Sequence, residues 1–136
     1  MVQKFRAYDG GSLSRMYQPE DVMVGGGNIW INDEDFDAGE WIVNNDLELM
    51  QSTGLFDRNG QEIFEGDIVT DGDVISDIKY HQTLGFYMIG KYGFSVPFGQ
   101  GVDVEYFEEF AVHVSKTFEV IGNIYENPQL LEGEEK

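Results

Sequence analysis

The sequence predicts a mainly β fold, a small and strongly bent antiparallel sheet or partly open barrel with at most one or two short helices. Seventeen glycines, against only three prolines, separate short apolar runs along the chain. These runs recur at roughly 8–12-residue spacing, which is typical of small barrels and sandwiches. Aromatic residues make up 14% of the chain, and they favour strands.

The length of 136 residues suits a single small domain that is SH3-like in size. We place that domain at residues 1–131 and expect an acidic, disordered tail at residues 132–136. The chain has no cysteine, which excludes disulfides and thiolate metal sites. No apolar run reaches membrane-spanning or signal-peptide length, so the expected compartment is the cytoplasm.

The charge of the chain is strongly unbalanced. Asp and Glu number 26 against 8 Lys and Arg, which gives a formal net charge of −18. Such a surface repels phosphate backbones and anionic membranes, so we expect neither direct nucleic-acid binding nor membrane binding. The acidity indicates solubility, a basic protein partner, cation binding or mimicry of a nucleic-acid surface.

The N-terminal half is predicted to contain short strands joined by glycine turns. Polar and apolar residues alternate over residues 3–8, which predicts a first strand. We expect Gly25-Gly26-Gly27 to form a flexible bend. Apolar runs at 29–31 and 41–43 flank an acidic loop, and this arrangement predicts a hairpin.

Turn signals dominate the middle of the chain. Asn59-Gly60 is the strongest short hairpin signal, because a type I′ turn needs positive φ at both central residues. Glu65-Gly66-Asp67 and Asp71-Gly72-Asp73 predict two further turns. We expect Asp67 to accept hydrogen bonds from local backbone amides. Four glycines are interpreted as backbone devices for turns or close strand approach: Gly54, Gly60, Gly66 and Gly122.

One segment near the C-terminus leaves helix and strand open. From Val104 to Phe110 the apolar spacing fits one face of a short helix, whereas Val112-His113-Val114 favours a strand. Residues 118–125 predict the last strand, which ends at Glu126-Asn127-Pro128. Residues 129–131 are expected to form one helical turn.

Three sequence blocks follow one another in a specific order over nearly the whole chain. They are Lys4-Phe5-Arg6-Ala7-Tyr8-Asp9 with Met16-Tyr17; Leu49-Met50-Gln51-Ser52-Thr53-Gly54-Leu55, continuing through Asp57-Arg58-Asn59-Gly60 to Glu65-Gly66-Asp67-Ile68-Val69; and Val120-Ile121-Gly122-Asn123-Ile124-Tyr125-Glu126-Asn127-Pro128 with Leu130-Leu131. In this order the blocks resemble the YopX family of bacteriophage and prophage proteins. The resemblance implies a mostly β fold and a phage or prophage origin in a bacterial host. It implies no activity, because the family has no established catalytic residues to carry over.

Residues suited to catalysis are few, and we assign no catalytic, cofactor-binding or metal site. The only histidines are His81 and His113, and we expect each to have a surface or core role. The sequence contains no nucleophile-elbow pattern, no phosphate-binding Gly-Lys-Ser/Thr loop and no His-Glu-x-x-His spacing. We therefore predict that the protein is not an enzyme and needs no cofactor.

Two acidic clusters are candidate cation sites. Asp33, Asp35 and Asp37 alternate as at the start of a calcium loop, but Ala38 and Asn44 stand where an EF-hand needs Gly and Glu. A solvated acidic loop is the preferred interpretation, with a looser cation site left open. The second cluster surrounds aromatic residues, and we interpret it as the outer face of an amphipathic element rather than as a metal site for phosphoryl chemistry. Its members are Asp103, Glu105, Glu108 and Glu109.

These observations support three function hypotheses. The leading one is a non-catalytic protein-interaction module that acts in the bacterial host cytoplasm on an unknown protein partner or through self-association. The second is an acidic DNA mimic that inhibits a host nucleic-acid-binding protein. The third is a metal-dependent enzyme of phage nucleic-acid metabolism that uses one of the two acidic clusters.

Overall fold

The structure is a computed structural model, and it describes residues 4–11, 14–33, 40–82, 85–89, 95–97 and 104–132. In this part of the chain, strands account for most of the regular structure, which confirms the predicted mainly β class. The strands are β1 (Phe5–Asp9), β2 (Arg15–Tyr17), β3 (Val22–Gly25), β4 (Asn28–Asn32), β5 (Trp41–Val43), β6 (Glu48–Phe56), β7 (Glu62–Phe64), β8 (Asp67–Thr70), β9 (Ile75–Asp77), β10 (Lys79–His81), β11 (Gly85–Ile89), β12 (Ser95–Pro97) and β13 (Glu119–Asn123). The helices are α1 (Val104–Thr117), α2 (Gln129–Glu132) and a 3-10 turn, Pro19–Asp21.

Within the described residues the strands form four sheets, with the orders β2-β1-β6-β7, β3-β4-β5, β13-β8-β9 and β10-β11-β12. Pairs such as β1–β2, β3–β4, β8–β9 and β10–β11 are antiparallel, in agreement with the prediction. Sequence-adjacent strands pair because glycine-containing turns allow the chain to reverse within a few residues.

The chain divides into two compact units, Met1–Ser52 (unit 1) and Thr53–Lys136 (unit 2), and the boundary lies inside β6. The single domain at residues 1–131 stays a prediction. Glu132 is the last residue of α2, and residues 133–136 of the predicted tail lie outside the described residues.

Unit 1 is built around a small apolar core. Its buried side chains include Ala7, Tyr17 and Leu47, together with Val22 and Ile31 from the three-stranded sheet. The predicted hairpin around the acidic loop is confirmed, because β4 and β5 pair antiparallel. The first strand is also confirmed, although it begins at Phe5 rather than at residue 3.

The glycine run in unit 1 forms an ordered turn rather than a flexible bend. Gly25 pairs with Asn28, so Gly26 and Gly27 alone form the loop between β3 and β4. Gly26 has φ +61° and Gly27 has φ +80°. Positive φ at both loop residues matches the twist of the flanking strands, and glycine adopts it without a steric cost.

The Asn59-Gly60 turn differs from its prediction. Gly60 has φ +80°, but Asn59 is not among the residues with positive φ, so the predicted type I′ turn is wrong. The Asp57 carbonyl accepts a hydrogen bond from the Gly60 N–H at 3.0 Å, and the Asp57 N–H donates to the Gln61 carbonyl at 2.9 Å. These bonds close a three-residue loop in which only the last residue needs the left-handed conformation.

The segment for which the sequence left helix and strand open forms helix α1. The helix covers Val104 to Phe110 and continues to Thr117, so the predicted strand at Val112-His113-Val114 is wrong. Phe110, Ala111 and Val114 lie on one helical face and pack into the core of unit 2. The strands contribute mainly Leu55, Ile63, Val69, Phe86 and Met88 to that core, and Ile78 joins it from the link between β9 and β10. The helical turn at residues 129–131 is confirmed as part of α2.

Candidate functional site

The sheet β3-β4-β5 has apolar side chains on both faces. Val22, Ile31 and Ile42 form a register row that packs toward the core of unit 1. Met23, Trp30 and Val43 form the next row, and successive side chains of a strand point to opposite faces. Met23 is 48% exposed and Val43 is 44% exposed.

Trp41 extends this outward row. It is two residues from Val43, on the same face, and it is 38% exposed. Trp30 is half-buried, and its indole N–H donates to the Gly25 carbonyl at 3.2 Å, which fixes the ring over the sheet. We call Met23, Trp30, Trp41 and Val43 the outer row. Sequence reasoning placed strands here but missed the surface, although the unbroken apolar runs of β4 and β5 signal two apolar faces.

A groove of about 550 Å³ lies beside β3. Residues 22–24 line it on one side, and Lys4, Phe5, Pro19 and Glu20 line the remainder. Because three consecutive strand residues line the groove, it follows the backbone edge of β3 rather than one face of the sheet.

The Asp33 carboxylate is buried, which makes the solvated-loop interpretation wrong at this residue. Arg15 Nη1 donates to both carboxylate oxygens at 2.9 Å, and the Tyr17 hydroxyl donates to Oδ2 at 2.7 Å. Burial, the hydrogen bond to Asp33 and the charges of Asp33 and Asp9 raise the pKa of Tyr17 to about 12, against the opposing charge of Arg15.

The structure does not bring the remaining candidate cation ligands together within the described residues. Asp35 and Asp37 lie outside the described residues, so a cation site there stays a prediction. Asp103 also lies outside them, whereas Glu108 and Glu109 are exposed on α1, as expected for the acidic side of an amphipathic element. Within the described ranges, no three His, Cys, Asp or Glu side chains are grouped to hold a metal ion.

The two histidines occupy separate elements. His81 is an exposed residue at the end of β10. His113 is exposed on α1, with ring centroids 6.3 Å from Phe110 and 6.2 Å from Phe118. Both side chains therefore lie at the surface, which is one of the two placements predicted for them. None of the helices in the described segments has the length and apolar character needed to cross a membrane.

Hydrogen bonds to the backbone explain the residue choices in the central sequence block. The Asp67 carboxylate is buried and accepts the Phe64 N–H at 2.8 Å, which confirms its predicted role. Gly66 has φ +87°; its N–H donates to the Ile78 carbonyl at 2.8 Å, and its carbonyl accepts the Ile124 N–H at 2.9 Å. The central and C-terminal blocks are therefore bonded directly.

Asp57 is a structural carboxylate that sequence reasoning missed. It is 2% exposed, and its Oδ1 accepts the N–H groups of Asn59 and Gln61, each at 2.9 Å. Its Oδ2 accepts the Val120 N–H at 2.9 Å. The position of Asp at the start of a turn is a signal for the first two bonds, but the bond to Val120 spans 63 residues and has no local signal.

The C-terminal block ends β13 with a compact polar turn. The Asn123 side-chain oxygen accepts the N–H groups of Tyr125 and Glu126 at 3.0 and 2.9 Å. A Cβ on Gly122 would lie 2.6 Å from Asn127 Oδ1, so only glycine fits at this position without a shift. The interpretation of Gly122 as a close-approach residue is confirmed, and Gly54, with φ +79°, also has the backbone that its interpretation requires.

Comparisons with known proteins agree with these blocks. A family model described as YopX protein matches residues 4–132. The fold is similar to the crystal structure of protein EF1440 from Enterococcus faecalis, with a TM-score of 0.58 and 24% identity over 96% of this chain and 99% of that chain. No curated protein matches the chain. Because the family match includes all three blocks and nearly all of the sequence, the chain belongs to the YopX family.

Proposed function

We propose that this chain is a non-catalytic protein-interaction module that binds its partner through the outer row of the β3-β4-β5 sheet. The observation that carries the proposal is the exposure of Met23, Trp41 and Val43, each at least 38%, on one face. Contiguous exposed apolar patches mark interaction sites, and Met and aromatic residues are enriched in protein interfaces.

The proposed partner is a basic protein of the bacterial host. The phage or prophage origin that the family resemblance implies supports action in the host cytoplasm. The net charge of −18 favours a cationic partner and opposes association of two copies of this chain. The DNA-mimic and metal-enzyme hypotheses stay predictions, since no distance or grouping among the described residues favours either one.

The proposal is tested by affinity capture from host lysate with the wild-type chain and a Trp41→Ser/Val43→Thr variant. Threonine keeps the strand preference of position 43, so the sheet should persist while the apolar contact is lost. We expect at least tenfold lower recovery of one host protein, identified by mass spectrometry, with an unchanged circular dichroism spectrum.

The matched control is Val112→Thr, which changes an equally apolar side chain that is 52% exposed on α1. This variant should capture the same protein as the wild type. Equal recovery by the outer-row variant and the wild type would exclude the outer row as the binding surface.

A further inference from the structure

Strand β3 is an edge of its sheet. It pairs with β4, and the sheet order places no described strand on its other side. In a hairpin with a two-residue loop, the pair that flanks the loop is hydrogen-bonded and every second pair follows it. Gly25 and Met23 therefore direct their backbone groups to β4, whereas Val22 and Val24 direct theirs away from it.

The outward backbone groups of Val24 have no hydrogen-bond partner in the described part of the chain. The Val22 N–H, by contrast, donates to the Pro19 carbonyl at the end of the 3-10 turn. The open edge of β3 thus presents one N–H and one carbonyl at Val24 and a second carbonyl at Val22. An edge of this kind is a template for pairing with another chain.

The groove beside β3 provides the second half of a strand-binding site. It has a volume of about 550 Å³ and follows the same edge. Val24 is 43% exposed and, with the half-buried Phe5 and Pro19, gives the groove apolar walls. A bound extended segment would place alternate side chains in the groove while its backbone pairs with β3. Met23 belongs to both the groove and the outer row, so the two surfaces are continuous.

We propose that an extended, cationic segment of the partner adds to β3 as a fourth strand of the β3-β4-β5 sheet. The inference rests on the proposed function and specifies its binding mode. Residues 1–52 carry ten Asp and Glu against three Lys and Arg. At the groove, Glu20 and the adjacent Asp21 outnumber Lys4, so lysine or arginine at the solvent-facing positions of the segment complements the net charge.

A synthetic peptide tests the binding mode directly. The probe is a capped eight-residue peptide that alternates valine and lysine, titrated into the isotope-labelled full chain by NMR. We expect amide shifts concentrated at residues 22–24 and at Lys4 and Phe5. Backbone N-methylation of the peptide should weaken binding at least tenfold, because it removes main-chain donors, and a valine–glutamate peptide should not bind. Equal binding of the methylated peptide, binding elsewhere or no binding would each overturn strand addition.

Two substitutions at one position separate backbone pairing from side-chain contact. Val24→Pro removes the outward N–H and leaves the β3–β4 ladder intact, since proline is tolerated where the N–H faces away from the sheet. Val24→Thr keeps that N–H and a β-branched side chain. We expect at least tenfold weaker peptide binding for Val24→Pro and less than a threefold change for Val24→Thr. Equal losses in the two variants would contradict backbone pairing.

The lysate experiment distinguishes failure of this inference from failure of the proposed function. Normal capture by Val24→Pro, with loss in the Trp41→Ser/Val43→Thr variant, would overturn strand addition and leave the interaction module intact. Unchanged capture by the outer-row variant would overturn the proposed function itself.

Discussion

One buried carboxylate in unit 1 and one in unit 2 are held in different ways. In unit 1, Asp33 is 4% exposed and is held by two side chains, the Arg15 guanidinium and the Tyr17 hydroxyl. In unit 2, Asp57 is 2% exposed and is held by three backbone N–H groups. Both arrangements offset the cost of desolvating a charge, which is large for an unpaired carboxylate.

The difference determines what the burial of each carboxylate depends on. Side-chain partners can titrate, change rotamer or be removed by a single substitution, so the burial of Asp33 is sensitive to pH and to mutation at distant positions. Backbone partners do not titrate, and they are fixed only while the turn and strand that supply them are folded. The Asp57 carboxylate therefore keeps its hydrogen bonds only while the loop between β6 and β7 and strand β13 are folded.

The largest expected effect is that of Asp57→Ala. It removes the buried carboxylate that accepts the N–H groups of Asn59, Gln61 and Val120. We expect the free energy of unfolding of unit 2 to fall by about 3–4 kcal/mol, since a hydrogen bond to a charged group contributes roughly 1.5–3 kcal/mol and the three effects overlap. Urea unfolding followed by circular dichroism at 222 nm reports unit 2 through α1.

Asp71→Ala is the matched control for this substitution. The Asp71 Oδ1 also accepts two backbone N–H groups, from Asp73 and Val74, each at 2.9 Å, but the residue is exposed. Water can replace these bonds, so we expect a loss below about 1 kcal/mol. Similar losses for Asp57→Ala and Asp71→Ala would show that burial of the backbone donors is unimportant.

Gly122→Ala should have the next largest effect. The added Cβ would lie within 3 Å of three Asn127 atoms, one of which, Oδ1, accepts the Asn123 N–H at 3.2 Å. We expect unit 2 to lose about 2–3 kcal/mol, because overpacking forces the neighbouring side chain to shift. In an Asn127→Gly background all three obstructing atoms are absent, and Gly122→Ala should cost under about 1 kcal/mol. Equal costs in both backgrounds would contradict the close approach.

Local signals account for what could be predicted of the fold. Asp67 after Gly66, the apolar runs of β4 and β5 and the helical face that includes Phe110 are each encoded within a few residues. The type I′ prediction at Asn59-Gly60 failed because Asp57 supplies acceptors to the loop and allows a three-residue turn instead. The strand prediction around His113 failed because Val114 fits the same helical face as Phe110, and tertiary packing outweighs the strand preference of valine.

Long-range pairing accounts for what could not be predicted. The local sequence around Asp33 is acidic and polar, which indicates solvent, but its partner Arg15 lies 18 residues away. The candidate interaction surface was missed for a related reason. Apolar residues at successive positions show that both faces of β4 are apolar, but only the register with β3 and β5 reveals which face remains exposed.

Asp33→Ala is expected to weaken unit 1 more than unit 2. The substitution leaves the Tyr17 hydroxyl buried without its acceptor and removes the ion pair with Arg15. We expect a loss of about 2 kcal/mol, discounted because the Arg15 side chain is 39% exposed. Tryptophan fluorescence during urea unfolding reports unit 1, since both tryptophans, Trp30 and Trp41, are in its sheet.

Glu119→Ala removes the comparison ion pair in unit 2, in which Arg58 is 52% exposed. Its loss should be below about 1 kcal/mol, as for surface pairs generally. A loss from Asp33→Ala no larger than this one would mean that the buried cluster of unit 1 behaves as a surface pair.

Alkaline pH should destabilise unit 1 through Tyr17. Its pKa rises on folding from the ordinary value of 10.0 to about 12, so the folded state holds the proton more tightly. The contribution is complete below pH 10 and is lost as the pH rises through 12, which predicts a loss of about 1.4 kcal/mol at pH 11. Tyr17→Phe removes the titrating group, so the stability of this variant should fall less between pH 9 and 11 by tryptophan-monitored urea unfolding. Parallel pH profiles of variant and wild type would contradict the coupling.

The smallest expected effect is a gain in stability at Asn32. Its side-chain oxygen is a buried acceptor that has no hydrogen bond from any described residue. Asn32→Val replaces this unsatisfied group with a strand-favouring apolar side chain, and unit 1 should gain about 0.5–1 kcal/mol. Asn28→Val on the same strand is the control, because Asn28 Oδ1 accepts the Asn45 amide at 2.9 Å and its removal should destabilise the sheet. If both substitutions shift the urea midpoint in the same direction, strand propensity rather than the unsatisfied oxygen determines how substitutions in β4 change the stability. Opposite shifts would show that the hydrogen bonding of each asparagine, rather than strand propensity, determines the effect of its replacement.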